Sequence, residues 1–337
     1  MTKRPKIWIT GASGFIGSFL VEEAVKRGFD TWAGVRASSN RAYLKDERIH
    51  FLCVDMGNRE RLKSQLEEHY RQEGYFDYVV HCAGVTKCNH PEDFERVNYE
   101  QTRQLFEVLK ETGSMPKQLI FISTLSVFGP IHEQDYRPIC EGDTPQPNTA
   151  YGKSKRKAEE YLEQSDMPYV IFRPTGVYGP REKDYFLMAQ SIRNHVDFAA
   201  GFRRQDLTFV YVKDVVQAVF LAIEKGVTRR AYFLSDGAVY PSRTFSDLIA
   251  AELGHPFVIR FKSPLWLLKL ISYTAGWIAG QRGKASTLNP DKYRIMKQRN
   301  WRCDITPTVE ELGYQPQYPL ERGVKETVAW YKEEKWL

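Results

Sequence analysis

Tyr151 and Lys155 are the two residues whose types and spacing point most directly to chemistry. They lie four positions apart in a stretch with helical character, and this spacing puts a phenol beside an ammonium group on one helix face. A free tyrosine titrates near pH ~10, but a neighbouring cation favours the phenolate and lowers the phenol pKa. We therefore expect the pair to transfer a proton. Interconversion of an alcohol and a ketone needs such a pair together with a hydride carrier.

A glycine-rich turn near the N-terminus indicates a binding site for that carrier. A short apolar run at residues 7–10 is followed by Gly11, Gly14 and Gly17, and then by an amphipathic run that ends near Gly28. In such a unit the glycines make a tight turn, admit a pyrophosphate and let the helix pack, while the helix amides face the anion. The turn residues expected to contact a dinucleotide are Gly11, Ser13, Gly14, Phe15, Ile16 and Gly17.

Short apolar runs alternate along the chain with helical stretches. The apolar runs are residues 49–54, 78–83, 119–123 and 169–172. The helical stretches are residues 59–71, 94–110 and 151–164. This alternation predicts an α/β fold, a doubly wound parallel sheet with helices on both faces. Ligands of such sheets bind beyond the carboxyl ends of the strands, where Asp55, Ala83, Ser123 and Pro174 lie, and we expect the polar loop at 130–147 to form a mobile flap over the site.

The end of the second strand decides between NAD and NADP. Residues 31–35 have the pattern of a strand, Arg36 follows, and no Asp or Glu occurs between positions 31 and 43. An acidic residue here would hold the ribose hydroxyls of NAD and repel a 2′-phosphate, whereas a guanidinium offers that phosphate several donors. Arg36 therefore favours NADP, with NAD the less favoured cofactor. The alternative is that Arg36 is an ordinary solvated arginine.

The composition bounds the class of protein. The chain has 337 residues, of which 42% are hydrophobic and 27% charged, enough for one large or two modest cores. Its formal net charge of +6 is mild and spread along the chain, which argues against a nucleic-acid partner. The five cysteines lack metal-ligand spacing, so we expect reduced, mostly buried thiols and no metal. Residues 1–5 lead into a strand without the apolar region of a signal peptide, and we expect a cytoplasmic protein.

Several motifs in a fixed order give the chain a wider resemblance. They are residues 10–17 (TGASGFIG), Asp55, 81–84 (HCAG), Ser123 and Thr124, 151–155 (YGKSK), 173–180 (RPTGVYGP), 209–214 (FVYVKD) and 311–316 (ELGYQP). Together they resemble the extended short-chain dehydrogenase/reductase family over nearly the whole chain. The resemblance implies a Rossmann domain at 1–175, with 206–236 returning to it, and a smaller mixed α/β substrate domain at 176–205 and 237–337.

The resemblance also implies roles for individual residues. Tyr151 would transfer the proton and also contact the cofactor, Lys155 would also hold the nicotinamide ribose, and the Thr124 hydroxyl would bind the reacting oxygen. Threonine stands where serine is more common, and Ser123 or Ser126 is the alternative. Asp55 would bind the adenine amino group, although an Asp at a strand end also caps turns. The further residues implied at the cofactor are Met56, Cys82, Ala83, Gly84, Ser123, Pro174, Gly176 and Val177.

Two positions distinguish the chain from the nucleotide-sugar branch of that family. Enzymes of that branch typically carry an Asn before the Val-Tyr-Gly-Pro motif and an Arg shortly before the Phe-Val-Tyr-Val segment, both serving the diphosphate. Here these positions are Gly176 and Leu207. A diphosphate without this clamp loses charge-assisted hydrogen bonds worth about 1.5–3 kcal/mol each. Arg203 or Arg204 would replace the clamp if the register were shifted.

The C-terminal part is similar to two other branches. The 17-residue apolar segment 264–280 and residues 301–304 are similar to the 3β-hydroxysteroid dehydrogenase and dihydroflavonol reductase branches, which act on bulky apolar alcohols and ketones. The segment is shorter than the ~20 residues of a membrane-spanning helix, and Lys269 interrupts it. We interpret it as a core or lid helix, with weak membrane-surface contact through residues 262–284 as the alternative.

These observations predict an NADP(H)-dependent oxidoreductase that interconverts a secondary alcohol and a ketone on an apolar, steroid-like or polycyclic small molecule. A nucleotide-sugar epimerase or dehydratase is the first alternative. A non-catalytic NADP-binding regulator is the second, although such a protein has little need of an intact Tyr151 and Lys155 pair. The resemblance also implies a homodimer.

Overall fold

Short parallel strands form the centre of the fold. The computed structural model describes residues 4–88, 90–281 and 289–337. Its strands are β1 (Lys6–Thr10), β2 (Asp30–Val35), β3 (Ile49–Cys53), β4 (Tyr78–His81), β5 (Gln118–Ile122), β6 (Tyr169–Pro174), β7 (Gly176–Tyr178), β8 (Val196–Ala200), β9 (Asp206–Leu207), β10 (Phe209–Tyr211), β11 (Arg230–Leu234), β12 (Tyr240–Pro241) and β13 (Ile259–Ser263). The first six alternate with helices along the chain, as the sequence pattern predicts, except that a loop without a helix joins β2 to β3.

Helices connect most of these strands. They are α1 (Phe15–Lys26), α2 (Arg59–Glu73), α3 (Pro91–Phe94), α4 (Gln101–Glu111), α5 (Ala150–Gln164), α6 (Lys183–Arg193), α7 (Val212–Lys225), α8 (Thr244–Glu252), α9 (Leu265–Gln281), α10 (Pro290–Lys297), α11 (Thr306–Leu312) and α12 (Leu320–Glu333). A π-helical turn at Glu95–Glu100 joins α3 to α4, and a short 3₁₀ turn at Leu125–Val127 follows β5. None of the helices in the described residues has the length and hydropathy needed to cross a membrane.

The main sheet has seven strands in the order β11-β6-β5-β4-β1-β2-β3. The pairs from β6 to β3 are parallel, and both β1 and β5 are buried along their whole length. The strand order reverses between β1 and β4, which is where a doubly wound sheet opens a crevice for ligands. The predicted doubly wound parallel sheet is confirmed.

The chain divides into two compact units. The first comprises residues 1–124, 153–173 and 216–232, and the second comprises 125–152, 174–215 and 233–337. The core of the first unit lies where side chains of the sheet meet those of α2, α4 and α5. The core of the second is rich in aromatic residues from β7, β10, α8 and α12. The domain boundaries expected from the sequence stay a prediction.

The loop at 130–147 differs from the mobile flap that its polar composition predicts. Ile139 exchanges backbone hydrogen bonds with the segment near Cys303: its amide donates to the Arg302 carbonyl at 2.9 Å, and its carbonyl accepts from the Asp304 amide at 2.9 Å. The Asn300 amide group donates to the Arg137 carbonyl at 3.0 Å. The loop is therefore anchored, through partners more than 150 residues away, to a segment of its own unit.

The five cysteines differ in their exposure. All five cysteines are free. Cys53 is exposed because it ends β3, the edge strand of the sheet, and the other four are largely buried, so the expectation of mostly buried thiols holds except at Cys53. Across 4–88, 90–281 and 289–337, no group of His, Cys, Asp and Glu side chains is arranged to hold a metal ion.

Candidate active site

The glycine turn after β1 leaves no room for side chains. Gly11 has a φ of +65°, a conformation that favours glycine. A Cβ at Gly11 would lie 2.8 Å from the Ala83 backbone nitrogen, and a Cβ at Gly17 would overlap the Gly11 carbonyl oxygen. Larger residues at either position would push the start of α1 away from β1. The turn thus has the close backbone packing expected from the sequence.

The start of α1 offers hydrogen-bond donors without a competing side chain. Gly14 is the N-cap residue and has no side chain that could accept from the first-turn amides, and no acidic residue occurs in that turn. Ser13, Phe15 and Ile16 are partly exposed around it. The first amides of a helix lack internal partners and lie at its positive end, where phosphate oxygens bind. The turn therefore fits the pyrophosphate of a dinucleotide.

Arg36 lies directly after β2. Its backbone amide donates to the Ser39 hydroxyl at 2.9 Å, while its side chain is exposed. Within the described part of the chain, no hydrogen bond or ion pair occupies its guanidinium. Arg36 is therefore available to an anion at the carboxyl end of the sheet.

Asp55 and Met56 follow β3. The Asp55 carboxylate accepts from the Gly57 amide at 3.1 Å and from Arg61 at 3.4 Å. The first contact is the turn cap that the sequence left open as an alternative. Because 43% of the Asp55 side chain stays exposed, its role at adenine remains a prediction. Met56 packs against the core of the first unit.

His81 connects the two strands at the switch point. Its Nδ1 is hydrogen-bonded to the Thr10 hydroxyl at 2.8 Å, and its Nε2 to the Thr102 hydroxyl at 2.9 Å. The Thr10 hydroxyl accepts from the Ala83 amide at 3.2 Å. Burial lowers the pKa of His81 to about 3 and raises the pKa of the Cys82 thiol to about 12. Both groups are therefore neutral at pH 7, and the network fixes Ala83 beside the glycine turn.

Lys155 lies in α5 and is a buried cation whose ammonium group contacts the end of β5. Its Nζ donates to the Ile122 carbonyl at 2.8 Å and lies 4.4 Å from the centre of the Phe121 ring. Burial lowers the pKa of Lys155 to about 8, so most of this lysine still carries its charge at pH 7. A hydrogen-bonded ammonium at this position suits the ribose contact that the family resemblance implies.

Asn98 lies beside Lys155 and was not found by sequence reasoning. It is buried in the π-helical turn, where its Oδ1 accepts from the Val85 amide at 2.8 Å and its Nδ2 donates to the Val85 carbonyl at 3.0 Å. A Cβ built on Gly84 would lie 2.9 Å from Asn98 Oδ1 and 3.6 Å from Lys155 Nζ. The π-helical turn, a feature frequent at functional sites, thus holds the backbone after β4 next to the lysine.

Ser123 and Thr124 follow β5. The Ser123 amide donates to the Phe172 carbonyl at 2.7 Å, while its buried hydroxyl has no hydrogen-bond partner among the residues that the structure describes. Thr124 is only 9% exposed. A buried hydroxyl without a partner costs free energy unless a ligand or water supplies one. Ser123 therefore remains a candidate beside Thr124 for binding the reacting oxygen or the nicotinamide.

The start of α5 positions Tyr151. The Asp291 carboxylate accepts from the backbone amides of Ala150 at 2.7 Å and Tyr151 at 3.3 Å. The Thr149 hydroxyl accepts from the Gly152 amide at 2.9 Å. These contacts satisfy amides that a helix start leaves without partners. Tyr151 and Lys155 both lie in α5, so the predicted helix is confirmed, while their joint chemistry stays a prediction.

Gly176 and Leu207 lie against an apolar cluster in the second unit. Pro174 ends β6, and Gly176 and Val177 lie in β7. A Cβ on Gly176 would be 2.7 Å from the Tyr185 hydroxyl and 3.2 Å from the Phe209 ring, which leaves no space for an asparagine. Leu207 packs against the same cluster, whose aromatic members include Tyr178, Tyr185, Phe209, Tyr240 and Phe245.

The arginines that would replace the missing clamp differ in their surroundings. Arg204 is held by the Asp206 carboxylate through two hydrogen bonds, at 2.7 and 2.6 Å, and lies 4.7 Å from the centre of the Tyr136 ring. Arg203 is exposed and lines a cavity of about 620 Å³ together with Lys262 and Arg302. Arg204 is thus largely neutralised, and Arg203 is the one left for an anion.

Comparison with known families identifies the scaffold. The model of the NAD dependent epimerase/dehydratase family matches residues 7–234, a range that includes the glycine turn, Tyr151 and Lys155. The chain belongs to this family. It is therefore an enzyme of the extended short-chain dehydrogenase/reductase type, as its motifs predict, and its cofactor is a nicotinamide dinucleotide.

Individual members of the family are similar over their whole length. Sterol-4-alpha-carboxylate 3-dehydrogenase, decarboxylating, from Saccharomyces cerevisiae is 23% identical and covers 99% of each chain. UDP-glucose 4-epimerase from Vibrio cholerae is 27% identical, over 96% of this chain and 95% of that protein. The crystal structure of dTDP-glucose 4,6-dehydratase from Bacillus anthracis in complex with NAD has a TM-score of 0.76 at 20% identity, covering 98% of each chain. This last likeness shows the shared fold.

The buried state of Lys155 predicts a pH dependence of stability in this family member. Its pKa is about 8 in the folded chain against 10.5 for an unperturbed lysine. Between these values the unfolded chain binds more protons, so the contribution of Lys155 to the free energy of unfolding rises with pH, by about 3 kcal/mol in total. Denaturant titrations between pH 7 and pH 10.5 measure the free energy of unfolding of the unmodified protein and of Lys155→Met. The value for the unmodified protein should rise with pH relative to the value for the variant.

Lys157→Met is the matched control, because Lys157 lies in the same helix but is exposed and paired with Glu95, which raises its pKa. The free energy of unfolding of the unmodified protein should not rise relative to that of this control variant over the same pH range. If the difference in free energy of unfolding between the unmodified protein and Lys155→Met did not change with pH, this would contradict the burial of an ionisable lysine at this site.

Proposed function

We propose that this enzyme is an NADP(H)-dependent oxidoreductase that interconverts a secondary alcohol and a ketone on an apolar, steroid-like or polycyclic substrate. The observation that carries the proposal is that Gly176 and Leu207, at the two positions where nucleotide-sugar enzymes place polar clamps, pack against an apolar core and offer no clamp. Burying about 250 Å² of apolar ligand surface is worth roughly 6 kcal/mol before association costs. A diphosphate without polar side chains at these two positions would lose hydration without gaining these partners.

The chemistry follows from the residue types. The nicotinamide, when bound, supplies or accepts the hydride at the substrate carbon. In the reducing direction the Tyr151 phenol gives its proton to the carbonyl oxygen, and in the oxidising direction the phenolate takes the proton from the hydroxyl. The Lys155 ammonium favours the phenolate electrostatically. The Thr124 hydroxyl, or Ser123 in its place, hydrogen-bonds the reacting oxygen.

The choice of NADP rests on Arg36. Its exposed guanidinium follows β2 and no acidic residue lies between positions 31 and 43, so a 2′-phosphate meets a donor and no repelling carboxylate. The remaining cofactor contacts are proposed for the glycine turn, for residues 82–84 and for the ends of β3, β5 and β6.

Similarity to the sterol dehydrogenase supports an apolar substrate. That relative matches the chain over nearly its whole length, and it is named as a 3-dehydrogenase of a sterol carboxylate. The reaction is an alcohol oxidation of the type that the Tyr151 and Lys155 pair serves. The nucleotide-sugar relatives are similar at comparable identity. The preference for an apolar substrate is therefore inferred from Gly176 and Leu207 of this chain.

A nucleotide-sugar epimerase or dehydratase is the second candidate, and one observation favours it. The cavity of about 620 Å³ in the second unit is lined by Arg203, Lys262 and Arg302 as well as by Arg204 and Asp206. Four cations against one carboxylate leave an excess of positive charge, which is what a diphosphate requires. If the enzyme uses a nucleotide sugar, we expect its diphosphate to bind in this cavity.

A turnover screen tests the proposal. NADPH absorbance would be followed with steroid and flavonoid ketones, and product chromatography would be used for nucleotide sugars at equal concentration, because epimerisation and dehydration consume no net NADPH. We expect NADPH consumption with at least one apolar ketone. Conversion of a nucleotide sugar, with apolar ketones inert, would establish the second candidate instead.

A further inference from the structure

An apolar sheet face points outward from the second unit. Strands β8 and β13 pair in parallel, with Ile259 opposite Val196 and Phe261 opposite Phe198. Paired residues of neighbouring strands lie on the same face, and alternate residues share it. All four side chains are exposed, from 37% for Val196 to 52% for Phe261. A pair of strands that presents large apolar side chains to water marks an interaction surface.

The opposite face of the same strands shows why the apolar side chains point outward. Asp197 is buried on that face, where its carboxylate is paired with Arg243, lies 4.0 Å from Arg260 and accepts from the Ser246 hydroxyl at 3.2 Å. A slip of one residue would turn Asp197 outward and break these contacts. The charge cluster therefore fixes the register that leaves Phe198 and Phe261 exposed.

The helix that follows β13 continues this apolar surface along the chain. In α9, Trp266 is 69% exposed, Leu270 56% and Tyr273 45%, at the spacing of one helix face, while Leu268 and Ser272 are buried on the other. The described side chains therefore exclude a fully buried core helix, while the lid helix named as the other possibility stays a prediction. The part of the predicted membrane-contact segment at 282–284 lies outside the described residues.

Cations occur in the same segments as the exposed apolar side chains. Residues 193–204 and 255–273 contain six basic residues and one acidic residue, the buried Asp197. Two of the six are paired with carboxylates, Arg204 with Asp206 and Arg260 with Asp247, so the positive charge offered to lipid comes from Arg193, Arg203, Lys262 and Lys269. Lys269 lies 5.8 Å from the centre of the Tyr273 ring, so its charge stands among the aromatic side chains of α9. Lysine and aromatic side chains in this arrangement suit the boundary between lipid headgroups and acyl chains.

We propose that β8, β13 and the first three turns of α9 form a docking surface for the face of an anionic phospholipid membrane. The apolar side chains enter the headgroup and acyl boundary, and the surrounding lysines and arginines pair with lipid phosphates and carboxylates. A second copy of the chain fits this surface less well, because a two-fold interface would bring the two sets of cations together. The proposal does not depend on which substrate the enzyme uses.

Flotation of the full-length protein with vesicles tests the proposal. Vesicles of phosphatidylcholine with about 30 mol % phosphatidylserine should bind the protein, and pure phosphatidylcholine vesicles should bind it several-fold less. Raising the salt from about 0.1 M to about 1 M, which shortens the screening length from about 10 to about 3 Å, should remove most of that preference. Phe261→Ser combined with Trp266→Ser should weaken binding to the anionic vesicles more than about tenfold.

Matched variants separate the surface from general effects. Tyr75→Ser with Val309→Ser removes exposed apolar side chains elsewhere and should bind like the unmodified protein. Lys262→Gln with Lys269→Gln should reduce the preference for anionic vesicles by roughly fivefold per lysine, and Lys26→Gln with Lys325→Gln should not. Absence of flotation, unchanged flotation of the Phe261 and Trp266 variant, or a dimer in sedimentation that this variant abolishes would each overturn the proposal.

Discussion

Replacing Tyr151 with phenylalanine should lower kcat by roughly 10² to 10⁴, because the ring is kept and only the group that transfers the proton is lost. NADPH affinity should change little, since the cofactor contacts proposed for the glycine turn and Arg36 remain. Steady-state kinetics with any accepted ketone gives kcat, and calorimetry gives NADPH affinity. The two measurements together distinguish lost proton transfer from lost folding.

Tyr161→Phe is the matched control for this variant. Tyr161 lies in the same helix, where its ring stacks near Phe106 at 6.3 Å in the core of the first unit. The same chemical change at this position should leave kcat within about twofold, because no proton transfer is assigned to it. Unchanged turnover in Tyr151→Phe would move the proton-transfer role to another residue.

Replacing Arg36 with alanine should remove most of the preference for NADPH over NADH. A charge-assisted contact with the 2′-phosphate is worth about 1.5–3 kcal/mol, or roughly ten- to hundredfold in affinity. The loss should fall on NADPH alone, since NADH has no phosphate at that position. Titrations of both cofactors into the unmodified and altered proteins measure the change directly.

Arg48→Ala is the control for the loss of charge. Arg48 is exposed and its guanidinium is already held by Asp46 at 2.9 and 2.7 Å, so its removal should leave the ratio of NADPH to NADH affinity unchanged. Equal affinities of the unmodified protein for both cofactors would contradict the NADP assignment. In that case Arg36 would be the solvated arginine that the sequence also allowed.

The parts of the site that could be predicted from the sequence are those built from neighbouring residues. The strand, glycine turn and helix at 7–26 form one local unit, and the spacing of Tyr151 and Lys155 is a property of one helix. Alternating apolar runs and helical stretches fix the parallel sheet in the same way, because each run must be buried on both faces. These features are recognisable without knowing which distant segments meet.

The parts of the site that could not be predicted from the sequence depend on contacts between distant residues. Asn98 binds the backbone at Val85, and Asp291 caps a helix that begins about 140 residues earlier. No local pattern distinguishes such an Asn or Asp from a solvated one. The loop at 130–147 was misjudged for the same reason, since Asn300 and Cys303 anchor it from the other end of the chain.

The first half of α9 shows a different limit. Its composition gives the amount of apolar surface but not whether another element covers that surface. Trp266 and Leu270 would suit a buried helix equally well, and only the fold shows that they face outward. The lack of a polar side chain at position 176 is evident from the sequence, because glycine stands where an asparagine would be. The sequence does not show that the Tyr185 hydroxyl fills the space of that asparagine.

Calorimetry with the NADP-loaded protein tests the central claim, the apolar substrate, most directly. A steroid or flavonoid ketone should bind with a micromolar Kd, because burying its apolar area is favourable and needs no polar clamp at Gly176 and Leu207. UDP-, GDP- and dTDP-sugars should bind with a millimolar Kd or not at all. The opposite order, together with loss of nucleotide-sugar binding in Arg203→Ala, would contradict the account and assign the enzyme to the nucleotide-sugar branch.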